Sequence, residues 1–513
     1  MHPWLSRLIL VLVFSATAFA TEAPDPATEA LAGVRAYRQA HAAEIVNELV
    51  SFLQLPNDAT NVADIARNAE ALKKMMERRG IRTEVLPTDG GRPVVFGELR
   101  AAGADTTILF YCHYDGQAVD PSHWHSQPYE PVLRAGYPQG PGADWSTVPF
   151  PADGRFQDDW RLFARSAADD KSPIVGLLAA LDALRAQGLK PRVNLKFFFE
   201  GEEEQGSPHL ARFIAQHKQK LAADLLIIAD GPVHQSGRPT VFFGARGIMT
   251  LDLTAYGPTE HLHSGHYGNW APNPAFRLAE LLASMKDRQG RVTIAGYYDD
   301  VVPLTASERR ALAEIPSIEP SLQQRYGIGE PDGAGKSLQE LINLPSLNIR
   351  GLHSGWVGAD ARTIVPRTAT AAIDVRLVKG TEFQRMYEKI MDHIRRQGWY
   401  VVDREPTQEE LVSNARVIKV VRLDGYNSMR TPMNLPIAQR LIRTVERATQ
   451  GAVVKMPTLG GSGPLSFFEE LGIPSVGVPI VNFDNNQHGP NENLRLGHFF
   501  QGIEILASIL LWE

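Results

Sequence analysis

Residues 172–230, SPIVGLLAALDALRAQGLKPRVNLKFFFEGEEEQGSPHLARFIAQHKQKLAADLLIIAD, decide how this chain of 513 residues folds. Ser172 to Gln187 carries apolar residues at helical spacing and stops at Gly188, which readily takes the left-handed conformation that ends a helix. Arg192 to Phe199 reads as a strand, Leu210 to Lys220 as a helix, and Leu221 to Ala229 as a largely apolar strand. Strands without polar alternation, separated by helices, are those of a sheet covered on both faces. The pattern predicts an α/β domain whose mixed, largely parallel sheet is flanked by helices.

Outward from this stretch the same texture continues. Glu44 to Leu53 and Asp64 to Arg79 have helical spacing, and Thr83 to Leu86, Pro93 to Leu99 and Thr107 to Cys112 read as strands. After Asp230 the texture changes. Ile248 to Tyr256 alternates, Asn273 to Met285 is helical, and Ala369 to Val378 is a strand before a helix over Glu382 to Gln397. From Leu435 the α/β texture returns, ending in a helix to Trp512. The expected division is a first domain over 40–235 and 418–513, interrupted by a smaller α+β domain over 236–417. Residues 135–154, rich in Pro and Gly, read as a surface excursion.

Composition narrows the function. With 52 Lys+Arg against 58 Asp+Glu the formal charge is −6, and no strongly basic domain suggests a nucleic-acid partner. The single cysteine, Cys112, excludes an internal disulfide and a thiolate zinc site, so any metal must be held by His, Asp and Glu. At the N-terminus, Arg7, the apolar run Leu8 to Phe14 and the small-x-small string Ala18-Phe19-Ala20 read as an export signal cleaved near Ala20. A bacterial periplasmic or secreted protein, with no membrane association after cleavage, is expected.

In open α/β sheets, ligands collect beyond the carboxyl ends of the strands. TTILFYC is followed by His113-Tyr114-Asp115, NLKFFF by Glu200-Gly201-Glu202-Glu203-Glu204, and LLIIA by Asp230. Asp169-Asp170 precedes the helix that begins near Ser172, and Asn485-Asn486-Gln487-His488 follows SVGVPIV. Taken singly, each acid is an ordinary solvated turn or helix cap. Gathered at one end of one sheet, the carboxylates would repel and raise each other's pKa, a cost that a pair of divalent cations removes. His and carboxylate donors suit zinc or manganese, and a shared carboxylate can bridge two ions.

With these residues placed, the sequence resembles the dinuclear-metal M20 peptidases, which include carnosinase-type dipeptidases and glutamate carboxypeptidases. The matching pieces are His113-x-Asp115, Ser166 to Lys171, Glu200 to Ser207, Asp230, His263-Ser264-Gly265, Ile364 to Arg367 running into Asp374-Val375-Arg376, Gly460-Gly461-Ser462, and His488. The resemblance implies that His113 and Asp230 bind one metal, Glu204 and His488 a second, and that Asp169 bridges them. It implies two divalent ions, with zinc expected and manganese or cobalt as alternatives. Asp115 would orient His113, and Glu203 would be the general base acting on a metal-bridging water. His263 would stabilise the oxyanion across a dimer interface, Arg376 would clamp the substrate carboxylate, and Ser462 would line the same pocket. The smaller domain would then be a lid and dimerisation domain, and the protein a homodimer.

The implied reaction is hydrolysis of a dipeptide or short peptide next to its free C-terminal carboxylate. An N-acyl-amino-acid deacylase on the same scaffold is the alternative, and a non-catalytic binding protein a third reading. Three stretches depart from the family pattern. Its glycines around the bridging aspartate are replaced by Ala164-Arg165-Ser166 and Lys171-Ser172-Pro173, and Tyr426 stands where dipeptidases commonly carry a histidine. Two decoys are set aside. Gly329 to Ser337 lacks the spacing and preceding strand of a phosphate loop, and Gly460 to Pro464 lacks the last glycine of a nucleophile elbow.

Overall fold

The computed structural model describes residues 26–140 and 142–512. The expected export signal lies outside the described residues. Among the described residues, no helix is long and apolar enough to cross a membrane.

The larger sheet has eight strands. Across it run Arg82–Leu86, Val94–Leu99, Asn194–Glu200, Thr107–His113, Leu225–Ile228, Ser475–Gly477, Thr240–Phe242 and Val454–Met456. The four central strands, from Asn194–Glu200 to Ser475–Gly477, are mutually parallel, and antiparallel pairings occur towards both edges. This is the mixed, largely parallel sheet that apolar strands alternating with helices imply. One face is covered by helices Lys171–Ala186 and Leu496–Leu510, packed against each other and almost wholly buried. The other is covered by helix Leu210–Leu221 and the 3-10 segment Pro464–Leu471, around Phe198, Phe213 and Phe468. Being covered on both sides, the strand Leu225–Ile228 is buried at every residue.

The second sheet runs Ser346–His353, Thr368–Leu377, Gly244–Tyr256, Val417–Tyr426, Tyr400–Val402. It is antiparallel except for its last pair. Alternate residues Met249, Leu251, Leu253 and Ile373, Val375, Leu377 bury one face under helices Pro274–Ala283 and Phe383–Arg396.

The structure moves the expected domain boundaries. Thr240–Phe242 lies in the larger sheet, while Val417–Tyr426 pairs along Gly244–Tyr256, so the second domain does not occupy 236–417. The middle of that span also leaves the second domain. Helix Ala306–Glu314 packs beside the edge strand Val454–Met456, and Ala311 enters the larger domain's apolar core. The 135–154 excursion folds back on a small sheet of Val132–Arg134, Arg161–Phe163 and Asn493–Arg495. There Val148 pairs with Leu133, and the Arg134 guanidinium lies over Trp145.

Candidate functional site

The strand Thr107–His113 ends with His113 beside Glu200, the last residue of its parallel neighbour. Beyond Glu200 the chain turns through a single 3-10 turn, Glu203–Gln205. Two glycines make this turn possible. A Cβ on Gly201 would stand 2.6 Å from the Tyr114 hydroxyl, and Gly206 ends the turn at φ +79°. Asp230 follows Leu225–Ile228, and Asp169 precedes helix Lys171–Ala186. His488 comes from the turn after Ser475–Gly477, so all these side chains gather at the carboxyl end of the parallel strands.

Their geometry is that of two triads sharing one carboxylate. His113, Asp169 and Asp230 offer ligand atoms within 4.8 Å of one another, as do Asp169, Glu204 and His488. Asp169 turns Oδ1 towards His113 Nε2 at 2.9 Å and Oδ2 towards His488 Nε2 at 3.1 Å. Glu204 Oε2 is 3.3 Å from His488 Nε2, and Asp230 Oδ2 is 3.9 Å from His113 Nε2. Asp115 is fully buried, 3.3 Å from His113 Nδ1, and accepts the backbone N–H groups of Glu203 and Glu204. One carboxylate thus orients both the imidazole and the acidic turn.

The electrostatics suit cations. Burial and the charge of Asp169 push Glu204 up to about 8. Burial likewise raises Asp230 and lifts Glu203 well above the usual carboxylate range, with neighbouring carboxylates adding to it. Burial opposes the charge on Asp169, but hydrogen bonds from His113 and His488 outweigh it and hold that carboxyl low. His488 is raised to about 9, chiefly by its hydrogen bond to Asp169. Imidazole and carboxylate donors at these distances fit a divalent ion such as zinc, and bound cations would relieve the repulsion that raises Glu204 and Asp230.

A cavity of about 400 Å³ runs from Asp230 and Gln487 to Gly460–Gly463 and Ser462. At that far end Arg376 Nη1 donates to Ser462 Oγ at 2.6 Å. Glu203 flanks it, with Oε1 3.8 Å from where a Cβ on Gly463 would stand. His263 is not brought to this cluster. It is exposed on the second domain, and its Nδ1 accepts the Gly265 N–H.

Several supporting residues escaped the sequence reading. Glu492, fully buried, accepts the N–H groups of Ser166, Ala168 and Asp169. Gln117 donates to Glu204 Oε2 at 2.7 Å, and Asp170 accepts the His113 N–H. Ser166 takes φ +61°, where the family pattern has glycine, and is held by a hydrogen bond from Asn57 to its hydroxyl. Of these, Ser166 and Asp170 stood in a motif already singled out. A lone Glu in a polar loop carries no pattern.

The family model described as peptidase family M20/M25/M40 matches residues 137–512. The Cys-Gly metallodipeptidase DUG1 of Candida albicans is 27% identical over 427 residues, covering 82% of this chain and 81% of that protein. The human Beta-Ala-His dipeptidase is 25% identical over 545 residues, covering 100% of this chain and 99% of its own. Among solved structures, an M20 family metallo-carboxypeptidase of Sulfolobus solfataricus superposes with TM-score 0.73 at 27% identity, covering 91% of this chain and 99% of that one.

Proposed function

Because the chain belongs to peptidase family M20/M25/M40 and is a metallopeptidase, we propose that it hydrolyses the peptide bond of dipeptides and short peptides beside a free C-terminal carboxylate. The observation that carries this reading is the pair of triads sharing Asp169, set at one end of a cavity whose other end holds the Arg376–Ser462 pair.

His113 and Asp230 would hold one ion, Glu204 and His488 another, with Asp169 between them; zinc is our assignment. Such ions would supply Lewis-acid polarisation of a carbonyl and lower the pKa of water. Glu203 is placed to take a proton from the attacking water and to return it to the leaving amine nitrogen. Burial strengthens its carboxylate as a base. Asp115 keeps Glu203 in place through the turn's N–H groups and fixes the His113 tautomer. Arg376 presents a planar guanidinium to the terminal carboxylate, with Ser462 beside it.

A homodimer through the second domain would supply His263 from the other copy. The exposure of His263, with Trp270 80% exposed nearby and the edge strand Ser346–His353 carrying Leu352 62% exposed, supports that arrangement. Export to the periplasm or medium is our reading of residues 7–20, and sequencing the N-terminus of the mature protein would check it.

The test is a panel of dipeptides and N-acyl amino acids with zinc- or manganese-loaded protein, with and without chelator. Dipeptides should be cleaved, faster than their N-acylated counterparts, and chelator should abolish the rate. Faster cleavage of the acyl amino acids would turn the assignment to a deacylase. Failure to cleave any dipeptide would end the peptidase reading.

A further inference from the structure

The segment from residue 303 to 345 emerges from the second domain but is fastened to the first. Helix Ala306–Glu314 begins with a capping box between Thr305 and Glu308. Glu308 forms a buried ion pair with Arg430 at 3.2 Å, and Glu314 reaches Lys455 at 3.2 Å. After helix Leu338–Ile342, Asn343 Oδ1 accepts from Thr458 Oγ1 at 2.8 Å, and the Leu344 carbonyl accepts from Arg246 at 2.8 Å. Anchored on both sides of Ile342, this strap sets that side chain against the Gly460 loop, where Ile342 Cδ1 lies 3.2 Å from the position of a Cβ on Gly460. Ile342 thereby becomes a wall of the cavity between Asp230 and Ser462.

The remaining walls decide what that cavity accepts. Its lining includes the apolar Val233, Met456, Leu459 and Leu465 together with Ile342, and beside Val233 the polar His234 and Gln235. A substrate with its carboxylate at Arg376 and its scissile carbonyl near Asp230 places the α-carbon of its C-terminal residue between them. The side chain on that carbon is the part left to meet these walls. Against Ile342, Leu459 and Leu465 an apolar side chain gains by leaving water.

We infer that the strap, through Ile342, forms an apolar pocket for the side chain of the substrate's C-terminal residue. The enzyme therefore selects dipeptides ending in a branched or aromatic apolar residue over those ending in Gly. This rests on the peptidase reading above and deepens it.

The experiment measures kcat/KM for Ala-Gly, Ala-Leu, Ala-Phe and Ala-Asp on zinc-loaded protein, with Ile342→Ala and Ile342→Trp beside the wild type. Because one buried methylene can change kcat/KM by roughly tenfold or more, Ala-Leu should exceed Ala-Gly by at least that factor. Ile342→Ala should move the optimum from Leu towards Phe. Ile342→Trp should cut the Leu-to-Gly ratio by a comparable factor, and Ile342→Val should restore it. The ratio compares two substrates on one preparation, so partial unfolding of a variant does not alter it. A wild-type ratio near one, a preference for Asp, or a ratio unmoved by Ile342→Trp would overturn the pocket while leaving the peptidase intact. No cleavage of any of the four peptides would overturn both.

Discussion

Arg165 and Glu492, 327 residues apart in the chain, form an ion pair at 2.8 Å with both side chains buried. Glu492 also accepts the N–H groups of Ser166, Ala168 and Asp169, so it shapes the loop that presents Asp169, the carboxylate shared by both triads. Glu492→Gln keeps the size of the side chain but removes the charge that four donors share. Loss of such an outer support typically weakens metal binding by roughly 10–100-fold. Competition against a chelating dye should show that loss, and wild-type affinity would refute the supporting role. Glu492→Ala, which strands Arg165 in the interior, should cost about 3–5 kcal/mol in denaturant unfolding.

Glu203 is adjacent to the ligand set without belonging to either triad. Glu203→Gln should therefore retain its metals and lose kcat by roughly 10²–10⁴-fold, the usual contribution of a general base. Metal content by elemental analysis, read beside kcat, separates this from a ligand mutation such as Asp169→Asn, which should lose metal as well. A Gln variant with near wild-type kcat would mean that another group takes the proton.

How much of this was legible beforehand depends on what kind of pattern each part leaves. The parallel strands were readable because a strand covered on both faces, such as Leu225–Ile228, must be continuously apolar. The triads were readable because His113, Asp230 and Glu204 follow such strands directly. The strap was not, since the apolar spacing of Ala306–Glu314 reveals a helix but not which sheet it will cover. The boundary at 418 likewise placed the strand Val417–Tyr426 with the first domain, because nothing local in a strand names the partner it pairs with. Glu492 was invisible for a different reason. Its role is to accept N–H groups from a loop more than three hundred residues away, and nothing local encodes that.

The protonation of the cluster predicts how metal and pH interact. Without cations, Glu204 titrates at about 8 and His488 at about 9, both above their ordinary values of 4.5 and 6.5. The folded metal-free protein therefore binds more protons than the unfolded chain across this range, and its stability falls as pH rises from about 5 to 9. Cations compete with those same protons, so metal affinity should rise over the same interval. Thermal melts of chelated protein at pH 6 and pH 9 should show the lower Tm at pH 9, with added zinc closing the gap. An unchanged Tm in the chelated protein would contradict these shifts.

Arg376 and Ser462 bear on which end of the peptide the enzyme reads. The Arg376 guanidinium donates from Nη1 to Ser462 at 2.6 Å and turns Nε towards Asp374 at 3.4 Å, which fixes its plane. A planar fork can grip both oxygens of a carboxylate, and a lysine at the same place cannot. Arg376→Lys should thus raise KM for a dipeptide by roughly 10–100-fold, the equivalent of about 1.5–3 kcal/mol for a hydrogen bond to a charged group, with little change in kcat. The same dipeptide with an amidated C-terminus should be a poor substrate of the wild type and should lose little further in the variant, because the interaction being removed was never made. If the free acid and the amide instead lose the same factor on Arg376→Lys, the guanidinium does not face the terminal carboxylate, and the orientation of substrate along the cavity must be reversed.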